Sequence, residues 1–199
     1  MSMQFLYVVS QLLLLAVLST LLMGRFVKET GKLRIVVVVI IVLDFFIPLN
    51  GLSIAQWLRT LLGDLSVLTL LLLSNILAQR LFNISLLNPQ SRKILLWGIA
   101  GLGTLFYPLA LGFGPFDPYQ SGYAPVWMAA VLALISLLCW FGGRRELAVI
   151  VIVPLLAFNL NLLESTNLWD YLLDPVLWMY AVVQSVTGAG FYRLKKVSD

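Results

Sequence analysis

A chain of 199 residues that is 61% apolar and only 11% charged, with a mean hydropathy of +0.98, departs far from the about 45–50% apolar and about 25% charged make-up of a soluble domain, so water is excluded as its main solvent. The absence of histidine removes the usual haem ligand, the commonest metal ligand and the neutral-pH proton shuttle together. The single cysteine, Cys139, supports neither an intrachain disulfide nor a thiolate metal site. No cofactor or metal is expected, and the formal charge of +4 is explained by where the basic residues fall, without nucleic acid as a partner.

Lipid offers an exposed peptide group no hydrogen-bond partner, so such a chain crosses a bilayer as helices or as a closed barrel. Residues 11–23, 35–43 and 129–141 are continuously apolar instead of alternating, which is the helical pattern. The expected fold class is an all-α integral membrane protein, a bundle of about seven transmembrane helices with a short outer interfacial helix, forming one transmembrane domain over residues 1–199. About 20 apolar residues span the hydrocarbon core, and that length places the spans at roughly 3–23, 35–50, 60–79, 94–113, 125–141, 147–163 and 174–192. Asp44 and Pro48 interrupt the second. Residues 1–23 have no basic leader and no small-residue cleavage site, so they read as an anchor and not a signal peptide.

The basic residues follow alternate spans. Arg25, Lys28, Lys32 and Arg34 follow the first, Arg80, Arg92 and Lys93 the third, Arg144 and Arg145 the fifth, and Arg193, Lys195 and Lys196 the seventh; only Arg59 lies in the other set of gaps. Basic loops remain cytoplasmic, so this pattern predicts a bacterial inner-membrane protein with its N-terminus outside and its C-terminus in the cytoplasm. Trp57, Tyr107, Tyr119, Tyr123, Trp127, Trp169 and Tyr171 then gather at the outer boundary, where amphipathic rings sit at headgroup level.

The outer gaps hold the distinctive residues. From Asn50 to Gly63 the apolar Ile54, Leu58, Leu61 and Leu62 recur at helical spacing opposite Ser53, Gln56, Arg59 and Thr60, predicting a short helix lying in the interface. Around it stand Asp64, Asp117, Glu164, Asp170 and Asp174, with Arg59 as the one cation. Two readings of these carboxylates stand side by side. They cap helices, Asp64 ahead of Leu65 and Ser66 and Asp174 ahead of Pro175, or several converge on a cation, a sugar or a polar lipid headgroup. The loop over residues 111–125 contains Pro115, Phe116, Asp117, Pro118 and Tyr119. Its prolines and glycines predict a shaped segment, either a lid over the bundle or a tight re-entry turn held by its aromatics.

Within the spans, Asp44 lies about ten residues in, roughly 15 Å at helical rise. A charge at that depth costs about 2.5–3.5 kcal/mol on insertion scales and marks a functional candidate, unless the helix ends near Pro48 and brings Asp44 to the interface. Asn75, Asn159, Asn161 and Gln184, with Ser185, are its candidate interhelical partners or structural hydrogen-bonding groups. Gly98, Gly101, Gly103, Gly188 and Gly190 read as close-packing positions.

Histidine-dependent lipid phosphatases, acyltransferases and intramembrane Ser/His proteases are excluded by composition. No nucleotide-binding glycine loop or magnesium-binding aspartate cluster is present. The expected function is a non-catalytic accessory or partner subunit in a cell-envelope process, its acidic, Pro/Gly/aromatic-rich outer loops engaging a membrane or periplasmic protein or a lipid-linked intermediate, with membrane lipids around it. One alternative is a lipid-surface enzyme using Asp64, Asp117, Asp170 or Asp174 with Arg59 on a phosphate. The other is a proton-coupled or facilitative transporter with Asp44 in the pathway. Residues 57–64 and 169–174 are loosely alike, and a plan of three spans, a linker and three spans resembles the small sugar-transporter and PQ-loop families. The resemblance is one of topology, with the pair Pro89 and Gln90 occurring once, in a cytoplasmic loop.

Overall fold

The structure, a computed structural model, describes residues 9–18, 35–37, 39, 40, 43 and 49–197, with side chains to Gly188 except that of Ala55. Asp44 and Pro48 lie outside the described residues. The protein is mostly helical, with no strand among the described residues.

The helices start and stop where local chemistry dictates. The first is α1, Val9–Leu18. The expected interfacial helix is α2, Ile54–Leu62, opened by a reciprocal cap in which Ser53 Oγ accepts from Gln56 N (3.2 Å) while Gln56 Oε1 accepts from Ser53 N (2.8 Å). Gly63, at φ +72°, ends it. α3, Val67–Phe82, begins at Ser66, whose hydroxyl accepts from Thr69 N, and ends at Asn83 in the left-handed region. Ser66 therefore holds the capping position expected of Asp64.

α4, Pro89–Ala110, starts five residues before the apolar run does. Asn88 caps it by accepting from Ser91 N (2.8 Å) and Pro89 takes the first helical position. Pro89 and Gln90 therefore form the first turn of a helix and not part of a loop. A 3-10 turn, Pro118–Gly122, precedes α5, Val126–Phe141, which stops at Gly142 and Gly143. α6, Arg145–Asn159, ends where Asn161 turns to φ +49°. The short α7, Trp169–Leu172, leads into α8, Pro175–Val197.

α5 lies against α6, α4 against α8, and α3 against α6 and α7. The core runs between them through Leu72, Leu96, Ile99, Phe106, Leu147, Ile150, Leu168, Tyr171 and Leu177. Gly103 permits the α4–α8 approach, since a Cβ there would fall 2.4 Å from Trp178 Cδ1; Gly98, Gly101 and Gly188 face open space instead. Ser136 Oγ donates to Ala148 O (2.9 Å) between α5 and α6. Ser91 and Asn88 both donate to Glu146, which ties the start of α4 to the start of α6. The Ser91 hydroxyl is the main reason the Glu146 carboxyl sits below its ordinary pKa.

One described helix, Pro89–Ala110, is long and apolar enough to cross a membrane. α3 and α5 are apolar but have 16 residues each, about 24 Å at 1.5 Å per residue. The α5 surface is unusual in another way: it contains no charged residue, and none of its residues is buried. An uncharged helix that exposes Val126, Trp127, Val131, Leu134, Leu138 and Phe141 on the side turned away from α6 is unfavourable in water.

Candidate functional site

The antiparallel helices give the bundle an acidic end, where α3 and α8 begin and α4 stops, and a basic end, where α4 and α6 begin. The acidic end is built around Asp174, which is 5% exposed. Its Oδ1 accepts from Leu177 N (2.8 Å), capping α8, while its Oδ2 accepts from Ser66 N (2.9 Å) and from the Thr69 hydroxyl at the start of α3. One carboxylate thus closes two helix N-termini, each presenting the positive end of its dipole. The expected cap at Asp174 is present, and it reaches across more than a hundred residues to a second helix.

Asp170 holds the next layer. Tyr119 donates to it at 2.9 Å and 3.1 Å, and Ser165 Oγ donates as well. Burial, followed by this bond to Asp170, raises the Tyr119 phenol above its ordinary pKa, so it serves as a donor. Asn167, fully buried, donates to Tyr119 O (2.9 Å) and accepts from Trp169 N (2.9 Å). Trp169 Nε1 reaches Pro118 O (3.0 Å), and Leu168 N donates to Gly122 O (3.0 Å). The segment over 111–125 is therefore shaped by docking on residues 165–170. Asp117 caps its 3-10 turn by accepting from Tyr119 N (2.9 Å), while Pro115 and Phe116 are exposed.

Arg59 reaches back from α2. Its Nε pairs with Asp64 Oδ1 (2.9 Å), and its Nη2 lies 3.7 Å from Glu164. Both pairs are substantially exposed, so each contributes at most about 1 kcal/mol. Their effect is to place α2 beside the 160s loop.

Asp64, Asp170 and Asp174 line a common cavity of about 380 Å³ with Tyr107, Tyr119 and Trp169, and no lysine or arginine lines it among the described residues. Asp117 does not. No group of three or more potential metal ligands occurs among the described residues. A larger cleft of about 750 Å³ opens between α4 and α5, with an almost wholly apolar wall that includes Gly98, Leu102, Met128, Leu132 and Cys139. Sequence reading did not anticipate it, because an apolar run does not show which of its faces lacks a neighbour. Trp169 and Leu173 line both spaces.

The polar residues of the expected spans are dispersed. Asn75, 1% exposed, accepts from Leu86 N (2.7 Å) and closes the turn after α3. Asn159 donates to Leu155 O (2.8 Å) in its own helix, and Asn161 ends that helix; both are exposed at the acidic end. Gln184 and Ser185 face a third cavity near the basic end. No protein family, curated protein or solved structure matches the chain.

Proposed function

We propose that the chain is an inner-membrane protein of bacterial type, crossing the bilayer about seven times with its N-terminus outside. In this reading it is a non-catalytic accessory component of an envelope process that holds an amphiphile. The apolar tail lies in the α4–α5 cleft and a neutral, hydroxyl-bearing headgroup lies in the acidic-end cavity. The observation that carries this reading is the shared wall: Trp169 and Leu173 separate a long apolar cleft from a cavity of carboxylates and phenols. Carboxylate acceptors and aromatic faces suit hydroxyl donors, whereas no lysine or arginine is among the described residues of the cavity wall and the neighbouring Arg59 is engaged by Asp64 and Glu164, which disfavours a phosphate.

Three further observations support it. The uncharged outer side of α5, with Val126, Trp127, Val131, Leu134, Leu138 and Phe141 exposed, is at ease only against lipid or apolar chains. The basic end, with Arg80, Arg92, Arg144 and Arg145, lies opposite the acidic end, as cytoplasmic and outer faces would. Asp64, Asp117, Asp170 and Asp174 each accept hydrogen bonds that hold the fold, which favours binding over turnover.

The test uses the purified chain in nanodiscs of brominated lipid, with tryptophan quenching as readout. A neutral glycosyl diacylglycerol should quench at lower mole fraction than phosphatidylcholine. Gly98→Leu, which fills open space in the cleft floor, should weaken the effect about tenfold, equivalent to roughly two methylenes at about 0.8 kcal/mol each. Equal quenching by the two lipids, or an unchanged response in Gly98→Leu, would refute the reading.

A further inference from the structure

We infer that the basic end holds a binding site for a phosphate group, in the cavity bounded by α3, α4 and α8. This cavity, of about 260 Å³, is lined by Gln79 from α3, Arg92, Lys93 and Trp97 from α4, and Gln184 and Ser185 from α8. No carboxylate lines it among the described residues. The volume is several times the about 30 Å³ that one water occupies in the liquid, leaving room for a phosphate and the start of its ester.

Two independent features point to an anion rich in acceptor oxygens. The first is the pair of adjacent cations, with two amide side chains around them. Arg92 is oriented from behind, since its Nη2 donates to Tyr180 OH at 2.7 Å, and a guanidinium has five N–H donors to distribute. The second is Ser185. It is only 6% exposed, yet its hydroxyl has no hydrogen-bond partner among the described residues. A buried hydroxyl without a partner costs about 1–3 kcal/mol, and an acceptor entering the cavity removes that cost. The α4 N-terminus adds little to the field, because Asn88 and Glu146 already meet its first turn. The positive potential is therefore a property of the Arg92 and Lys93 side chains.

A phosphate reaches this place from either of two sources, an anionic lipid headgroup entering past the exposed Trp97, or a soluble phosphate compound. Titrating the purified full chain in maltoside detergent separates them, with the Trp97 emission isolated by difference against Trp97→Phe. The probes are inorganic phosphate, phosphatidylglycerol and, as the neutral comparator, diacylglycerol. The site should saturate with phosphatidylglycerol or with inorganic phosphate and not with diacylglycerol. Saturation by phosphatidylglycerol alone assigns the lipid source, and saturation by inorganic phosphate assigns the soluble one. Lys93→Gln should raise the half-saturating concentration about tenfold, as expected for losing one charge-assisted hydrogen bond. Ser185→Ala should raise it severalfold while leaving the unfolding midpoint without ligand at or above that of the parent. No response to either phosphate probe, or responses unchanged in both Lys93→Gln and Ser185→Ala, would overturn the site.

Discussion

Replacing Asp174 by alanine is expected to destabilise the protein by about 3 kcal/mol, one of the largest losses available to a single substitution in this chain. The change removes the acceptor of three donors at once: the Leu177 amide in α8 and the Ser66 amide lose their side-chain partner, and the Thr69 hydroxyl in α3 is left with Ser66 Oγ at 2.9 Å. Loss of a helix cap alone costs about 0.5–2 kcal/mol, and the buried Ser66 amide at the start of α3 adds to it. Asp174→Asn keeps the shape and one acceptor oxygen, so about half of the loss should return. The measurement is the thermal unfolding midpoint in detergent, with Asp64→Ala as the contrast. Asp64 serves an exposed ion pair with Arg59, so its removal should cost less than about 1 kcal/mol. Equal midpoints for the parent and Asp174→Ala would show that the carboxylate does not join the two helices.

Gly122→Ala should be nearly as damaging, and for a different reason. Gly122 is buried, and a Cβ there would stand 1.7 Å from Asn167 Oδ1 and 2.8 Å from Trp169 Cδ1. Asn167 is not free to retreat, because its amide holds Tyr119 O and its oxygen holds Trp169 N. The added methyl must therefore lift the 3-10 turn from the 165–170 segment, at a cost of about 1–3 kcal/mol. The clearest readout is limited proteolysis with chymotrypsin, which should cut within residues 113–123 of Gly122→Ala at a rate that leaves the parent intact. Gly101→Ala meets nothing within 4 Å and should match or slightly exceed the parent in stability, since alanine favours a helix. Identical cleavage of Gly122→Ala and the parent would mean that the loop is not held by this contact.

These two residues also mark how far the fold and site are legible in sequence. Proline at the first helical position after Asp174, the Ser53 and Gln56 spacing, and the amphipathic pattern of α2 are local signals, and the local structure follows them. The second half of Asp174's role is not local, because Ser66 and Thr69 lie over a hundred residues away and nothing in the intervening chain encodes the pairing. The exchange of capping position between Asp64 and Ser66 has a physical cause. Both residues precede the same apolar run, and Arg59 five residues earlier draws Asp64 into an ion pair, leaving the hydroxyl to cap. The early start of α4 was hidden because Asn88, Pro89 and Gln90 are polar or helix-breaking by composition, although asparagine followed by proline is a sound helix opening.

The convergence of Asp64, Asp170 and Asp174, with Asp117 apart, depended on tertiary packing alone. As polar residues within expected spans, Gln184 and Ser185 read as candidate partners of Asp44. In the structure those two face Arg92 and Lys93, because α4 packs on α8 there. Asp44 itself lies outside the described residues, so the transport reading rests on the sequence alone.

The proposal that the acidic end faces outward is tested most directly by labelling single cysteines in intact cells with a membrane-impermeant maleimide, in a Cys139→Ser background. Phe116→Cys reports on the acidic end and Ile84→Cys on the basic end, both at exposed positions. Labelling of Phe116→Cys in intact cells, with Ile84→Cys reacting only after permeabilisation, is the expected result. Labelling of Ile84→Cys in intact cells while Phe116→Cys stays protected would contradict the orientation, and recovery of both in the soluble fraction would contradict the membrane assignment itself.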